Sequence, residues 1–295
     1  MKKYELIKET ETCSKIRIMY RIRALKDFSD IKAGDVGGWV CSENNLSQEG
    51  DCWIYDDAKC LDNAKMFDNA KMFDNARMYN NAEMYDYAIM SGNSIMYSNA
   101  IMSGNSRMYD NSRMYGNSRM YDNAKMYNNA EMYDNAKMYN NAEMYDNARI
   151  LNNSIMYDDT IMCNNAKMSG NSIMYNNAKM YDNAIMSGNS IMYDNAKMYD
   201  YAILDKDNLL YGSINKSYKK IFQYHCEKRL ITAILTEVNE ILYSIGCQVG
   251  ITKEKFIDRI YNDCNVEGKG LEEYPHRQEY LDMIDIAESY LKKFI

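Results

Sequence analysis

The sequence predicts an all-β solenoid with a β cap before it and a small α+β module after it, and three observations carry that prediction. A six-residue unit recurs 25 times between Ala58 and Ala202 without insertion or deletion, as in Ala136-Lys137-Met138-Tyr139-Asn140-Asn141. Its first slot is always small: Ala 17 times, Ser 7 times and Thr once, at Thr160. Its third slot is Met at 22 of 25 positions, the exceptions being Cys60, Ile150 and Leu204. A strict period of six excludes an α-helix, whose 3.6-residue turn cannot hold that register.

Slots one and three have the spacing of two side chains on one face of a strand, and slots two and four face the other way. The inward pair is therefore a small residue and a methionine. The outward pair is Lys, Arg, Glu or Ile followed mostly by Tyr or Ser. Slots five and six then form the corner. Asn fills the sixth slot in 21 of 25 units, and this asparagine is expected to take the left-handed conformation that a tight corner needs. The assignment also explains the composition, 25 Met and 28 Tyr against 1 Pro and 2 His in 295 residues.

This pattern resembles the hexapeptide-repeat left-handed β-helix proteins, over roughly residues 40–205. The resemblance implies three hexads per triangular coil, residues 18 apart stacked vertically, and about eight coils at ~4.8 Å each. Met here takes the place of the Ile, Val or Leu common in that family. The stretch YRIRALKDF, GDVGGWV and NLSQEGDCW, between Tyr20 and Trp53, resembles the opening of repeat proteins encoded by phages and prophages.

The segments outside the repeat read as follows. Residues 1–39 form the N-terminal β cap, with a hairpin over 4–28 leading to Gly37-Gly38-Trp39 and the first coil. Residues 40–205 form the solenoid, and residues 206–295 the C-terminal α+β module. In that module 218–226, 229–236 and 240–247 read as strands, the last two as a hairpin. Thr252 caps a first helix, and Pro275, at a first-turn position, opens a second.

Stacking at intervals of 18 sorts the outward residues into three faces. One carries Ile155, Ile173 and Ile191 beside Tyr157, Tyr175 and Tyr193, with Tyr121 and Tyr139 extending the tyrosine column. Exposed Ile/Tyr surface of this kind marks a partner or self-association face, or a place for the chain's own C-terminal module, the alternative being stacking that only stabilises the ladder. The other two faces mix Lys and Arg with Glu and Ile.

Several function classes fall away on composition. A net charge of −7 and a pI near 5.1 argue against a nucleic-acid binder. No run of 18 apolar residues predicts a membrane helix, and the charged opening segment does not read as a secretory signal. Eight cysteines without a CxxC pair read as reduced thiols, which places the protein in the cytoplasm of a bacterial host.

The family resemblance implies acyl transfer in many members, with a histidine at a coil edge as general base. No histidine occurs in residues 1–224, so that role maps to no position. His225, Cys226, Cys247, Cys264 and His276 follow no zinc-ligand spacing. The expectation is therefore a chain that is not an enzyme, with no catalytic residue, metal or cofactor. It binds a protein partner, as a phage-encoded inhibitor of a host protein or as a homo-oligomer. The alternatives are a structural assembly component and, third, an acyltransferase.

Overall fold

The computed structural model describes residues 2–7, 18–204, 209–210, 213–214, 218–226, 229–236, 238–245, 248–262 and 275–295. Each hexad contributes a two-residue strand from slots two and three, such as Lys137–Met138, rather than the four-residue strand that the spacing alone predicts. These strands stack into three parallel ladders with partners 18 residues apart, Ile155 on Ile173 and Met156 on Met174 among them. The ladder from Lys65–Met66 to Leu209–Leu210 holds nine strands, so the solenoid has about nine turns where eight were expected. The difference arises because Trp53–Ile54, Leu209–Leu210 and Ser213–Ile214 join the ladders without the consensus residues.

Tracing the backbone amides explains why six residues suffice. Amides of slots two, four and six each donate to a carbonyl of the next coil, as Lys137 does to Ser154 at 3.0 Å, Tyr139 to Met156 at 3.0 Å and Asn135 to Asn152 at 3.0 Å. The slot-one amide closes the corner, Ala136 donating to Tyr133 at 3.2 Å. Slot five carries the left-handed residue, for example Asp134 at φ 58°, Asn140 at φ 55° and Gly104 at φ 69°. This corrects the expectation that the sixth-slot asparagine would take that conformation. At many corners the fifth-slot amide is satisfied by a side chain instead: Asp86 Oδ2 accepts from the Gly104 amide at 2.9 Å, and Asp74 Oδ2 from Gly92 at 2.9 Å. A short carboxylate one coil below thus completes the accounting that a buried or edge backbone requires.

From Ala58 to Leu204 every first- and third-slot residue is 0% exposed. Each inward Met contributes roughly 1.5–3 kcal/mol of transfer free energy. Serines in slot one fit the same cramped position, and some find partners there: Ser154 Oγ donates to Leu151 O at 2.8 Å and Ser172 Oγ to Ser154 Oγ at 3.2 Å.

An open coil end exposes apolar cross-section, and both ends are covered. At the N-terminal end β1 (Tyr4–Ile7) pairs antiparallel with β2 (Tyr20–Ala24), and β2 with β3 (Val36–Val40), which runs on parallel to Lys59–Cys60. The expected hairpin is present in these strands, and residues 8–17 lie outside the described residues. Gly38 is required where β3 meets the first coil, since a Cβ there would sit 2.4 Å from the Ala58 carbonyl oxygen. Lys3, 1% exposed, donates its ammonium to the carbonyls of Glu49, Gly50 and Cys52 at 3.0–3.2 Å. Burial lowers its pKa while these acceptors hold the charge in place.

At the other end four antiparallel strands, Tyr218–Cys226, Arg229–Thr236, Ile241–Ile245 and Gln248–Ile251, form one sheet. The last strand was not expected, because QVGI is short and contains a glycine. Strand alternation divides the sheet's two sides. Ile234 and Leu242 join Leu210 and Ile214 in the solenoid core, whereas Ile231, Ala233 and Leu235 pack with Phe256, Ile260, Ile284 and Leu291 of helices α1 (Lys253–Asn262) and α2 (Pro275–Leu291). The module therefore closes the end of the prism. Among the described residues no helix is long and apolar enough to cross a membrane.

The core predicts a graded response to truncation. Met138→Leu, which keeps volume, should cost under about 1.5 kcal/mol, whereas Met138→Ala should cost about 2–5 kcal/mol by urea denaturation. Equal costs for the two variants would mean that slot three is not close-packed.

Candidate functional site

Outward positions fall on three faces: the first contains Trp53 and Lys71, the second Lys59 and Arg77, the third Lys65 and Glu83. The third face gathers all eight residues singled out from sequence. Ile155, Ile173 and Ile191 are register partners on successive coils. Tyr121, Tyr139, Tyr157, Tyr175 and Tyr193 form one unbroken stack with ring centroids 4.9–5.3 Å apart and interplanar angles of 13° or less. All eight side chains are half-buried. Burial, reinforced by neighbouring tyrosine hydroxyls, raises the pKa of Tyr139 and Tyr175.

The other two faces are laced by ion pairs between coils. Glu131 lies 3.0 Å from Arg149 and 3.9 Å from Arg113 on the second face. Lys125 meets Glu143 at 2.9 Å on the first. Tyr133 donates to Glu131 at 2.9 Å, which together with burial pushes the tyrosine up to about 12. The glutamates that interrupt the basic columns in the sequence thus serve as staples between coils.

Two further features escaped sequence reasoning. Sixth-slot asparagines form amide ladders along the corners; Asn63, Asn81, Asn99, Asn117, Asn135, Asn153 and Asn171 each pass a hydrogen bond from Nδ2 to the next Oδ1, ending on Asn189, at 2.9–3.4 Å. The signal was present as asparagine at intervals of 18, read there as a turn preference. The second feature is at the N-terminal end, where the turn Ser42–Asn45 overhangs the corner at Asp62–Asn63. It leaves two recesses of about 780 and 710 Å³ that share Asp62, Asn63 and Asn81. No repeat marks that overhang, so periodicity alone does not reveal it.

Among the described residues no group of three or more His, Cys, Asp or Glu is arranged to hold a metal ion. Of the residues weighed for zinc, Cys247 and Cys264 lie outside the described residues, as do the side chains of His225, Cys226 and His276.

No family model matches the chain. Over 63 residues it is 43% identical to a protein of Escherichia coli (strain K12) named "Uncharacterized acetyltransferase YdcK", a match covering 19% of this chain and 19% of that one. The match and the solenoid together support a β-helix repeat protein; the phage or prophage likeness rests on the N-terminal sequence alone. The match also overturns the expectation that the chain is not an enzyme. That expectation leaned on the missing prism histidine, and one residue type is too narrow a ground against a relative carrying an acetyltransferase name.

The corner columns predict a pH-dependent defect. Asn128 donates Nδ2 to Asp146 at 2.8 Å and its amide to Asp110 at 3.3 Å, separating two carboxylates. Asn128→Asp sets three carboxylates in a row about 4.8 Å apart, which raises the folded-state pKa of the introduced group above its unfolded value of about 3.9. The variant should lose about 1 kcal/mol at pH 7 and recover it as pH falls through the raised folded-state pKa. Urea denaturation at pH 7 and pH 4 measures this, and a loss independent of pH would refute the charge argument.

Proposed function

We propose that this chain is a β-solenoid that docks a protein on its third face, along Ile155, Ile173 and Ile191 and the tyrosine column beside them. The observation that carries the reading is the absence of charge. Across three successive coils both outward strand positions are uncharged, and nowhere else in the ladders do three successive described strands go without a charge. Depletion of charge with enrichment in aromatic residues distinguishes the centre of an interface from ordinary surface. Stacked tyrosines supply rigid contact area at low entropic cost. The occupant is a second copy of the chain or, following the phage-like N-terminal stretch, a bacterial host protein that docking would inhibit.

A second reading, acetyl transfer, is favoured by the partial match to the protein named an acetyltransferase. With no histidine in residues 1–224, its general base would be another side chain or lie in the C-terminal module.

Ile173→Lys separates these readings. Lysine occupies the same slot at Lys137 on the same face, so the variant should fold as the parent does. Under the docking reading it should lose self-association by light scattering, or a partner recovered from bacterial lysate, with affinity falling at least about tenfold. Unchanged assembly and unchanged partner recovery would sink that reading. Thiol release from acetyl-CoA above background, equal in parent and variant, would support acetyl transfer independently.

A further inference from the structure

The tyrosine ladders are interrupted in a specific way outside the Ile155–Tyr193 surface. On the first face Tyr55 stacks on Phe73 at 4.3 Å and Tyr109 on Tyr127 at 5.1 Å, but Ser91 stands between Phe73 and Tyr109. On the third face Phe67 stacks on Tyr85 at 5.0 Å and Tyr121 on Tyr139 at 5.0 Å, with Ser103 between Tyr85 and Tyr121. The backbone carries on regularly through both positions, Ser91 donating to Met108 O and Ser103 to Met120 O at 3.0 Å. Only the ring is missing.

The two gaps are near-duplicates. Each lies in the hexad Ile-Met-Ser-Gly-Asn-Ser, with half-buried Ile89 or Ile101 beside the serine. Each has an exposed arginine on the next coil whose Nη1 donates to the following tyrosine hydroxyl, Arg107 to Tyr109 at 3.3 Å and Arg119 to Tyr121 at 3.2 Å. Neither arginine makes an ion pair among the described residues. At the same height on the second face Tyr97 fills the position and the stack Tyr79–Tyr97–Tyr115 is continuous. A gap at Cys163 between Tyr145 and Tyr181 holds a thiol and has Lys179 in place of the arginine, and on the second face Leu151, Ser169 and Ser187 end the ring column, Ser187 in the same hexad but next to Ser169 rather than to a ring.

We propose that the gaps at Ser91 and Ser103 are two binding slots, each for one planar aromatic group bearing or flanked by a carboxylate. Two coil steps set the bordering rings about 10 Å apart, which leaves room for one further ring at the stacking distance of the ladder itself. The isoleucine forms an apolar side wall. The arginine, unpaired and already oriented by the tyrosine hydroxyl, offers a planar donor pair to a carboxylate. A free aromatic acid and an aromatic side chain between acidic residues share this chemistry.

Titration of the full chain with 2-naphthoate and with the blocked peptide acetyl-Glu-Trp-Glu-amide tests the slots. Two sites per chain are expected, the one at Ser103 weaker because the coil below it carries Glu83 where the Ser91 site has Lys71. Ser91→Tyr should leave one site, and Ser91→Tyr with Ser103→Tyr none, with the fold kept and unfolding made harder because tyrosine restores the ladder's own ring contacts there. Arg107→Gln with Arg119→Gln should weaken binding about tenfold or more while leaving 2-naphthol, which lacks the carboxylate, unaffected. Binding of naphthoate alone assigns a free aromatic acid; tighter binding of the peptide assigns a protein segment. Failure of both probes to bind, or binding that survives the double tyrosine variant, overturns the proposal.

Discussion

Every residue of the prism sits about 4.8 Å above another residue of the same slot, and this vertical self-contact decides what each slot can hold. Groups that attract their own kind can repeat without limit. Methionine packs on methionine, tyrosine rings stack on tyrosine rings, and the asparagine amide, donor and acceptor at once, passes hydrogen bonds along the Asn63–Asn189 column. A carboxylate only accepts, and it repels a copy of itself. The fifth-slot columns respect that difference: Asp110, Asn128, Asp146, Asn164 and Asp182 alternate, as do Asp122, Asn140, Asp158, Asn176 and Asp194. The amides of Asn128, Asn140, Asn164 and Asn176 each donate to the aspartate above. Adjacent aspartates such as Asp56–Asp74 and Asp182–Asp200 stand near the ends of the columns, and no column has three in succession.

Only some charged strand positions follow the same constraint, since Lys59–Arg77, Arg107–Lys125, Arg149–Lys167 and Lys179–Lys197 set like charges on successive coils. Arg113, Glu131 and Arg149 alternate in sign, as do Lys125 and Glu143, so each step becomes an ion pair rather than a repulsion. Such half-exposed pairs are each worth little, about 0–1 kcal/mol. They add to the asparagine ladders, which tie each coil to the next. The methionine core needs that help. An unbranched side chain fills the prism but specifies its packing less sharply than a β-branched one, so the polar columns outside fix what the core leaves soft.

The architecture was legible in the sequence because the period is local and uninterrupted: the faces, the stacked Ile155–Ile191 and Tyr121–Tyr193 columns and the two C-terminal helices all follow from spacing. What was misread depends on geometry between coils. Positive φ lies on Asp134 rather than Asn135, since a turn-forming preference does not say which corner residue bends, whereas the amide ladder that occupies Asn135 does. Lys3 inside the cap and the overhang at Ser42–Asn45 were invisible, because each is a single event without a repeat to announce it.

Uniformity also tells where function should be sought. A column that repeats its residue does so for stacking, and stacking alone explains it. Two departures call for another cause: uncharged isoleucine in place of charged residues at Ile155–Ile191, and serine in place of a stacked ring at Ser91 and Ser103. Each serine forfeits two ring contacts of roughly 0.5–1.5 kcal/mol, and the tyrosine at Tyr97 proves that the backbone at that height accepts the ring. The same hexad recurs at Ile185–Ser190 on the second face beside Ser169 instead of a ring, so what sets Ser91 and Ser103 apart is a ring on either side together with a tyrosine-bound arginine. A missing ring kept in the company of a poised cation is what remains when the prism reserves that contact for something outside itself.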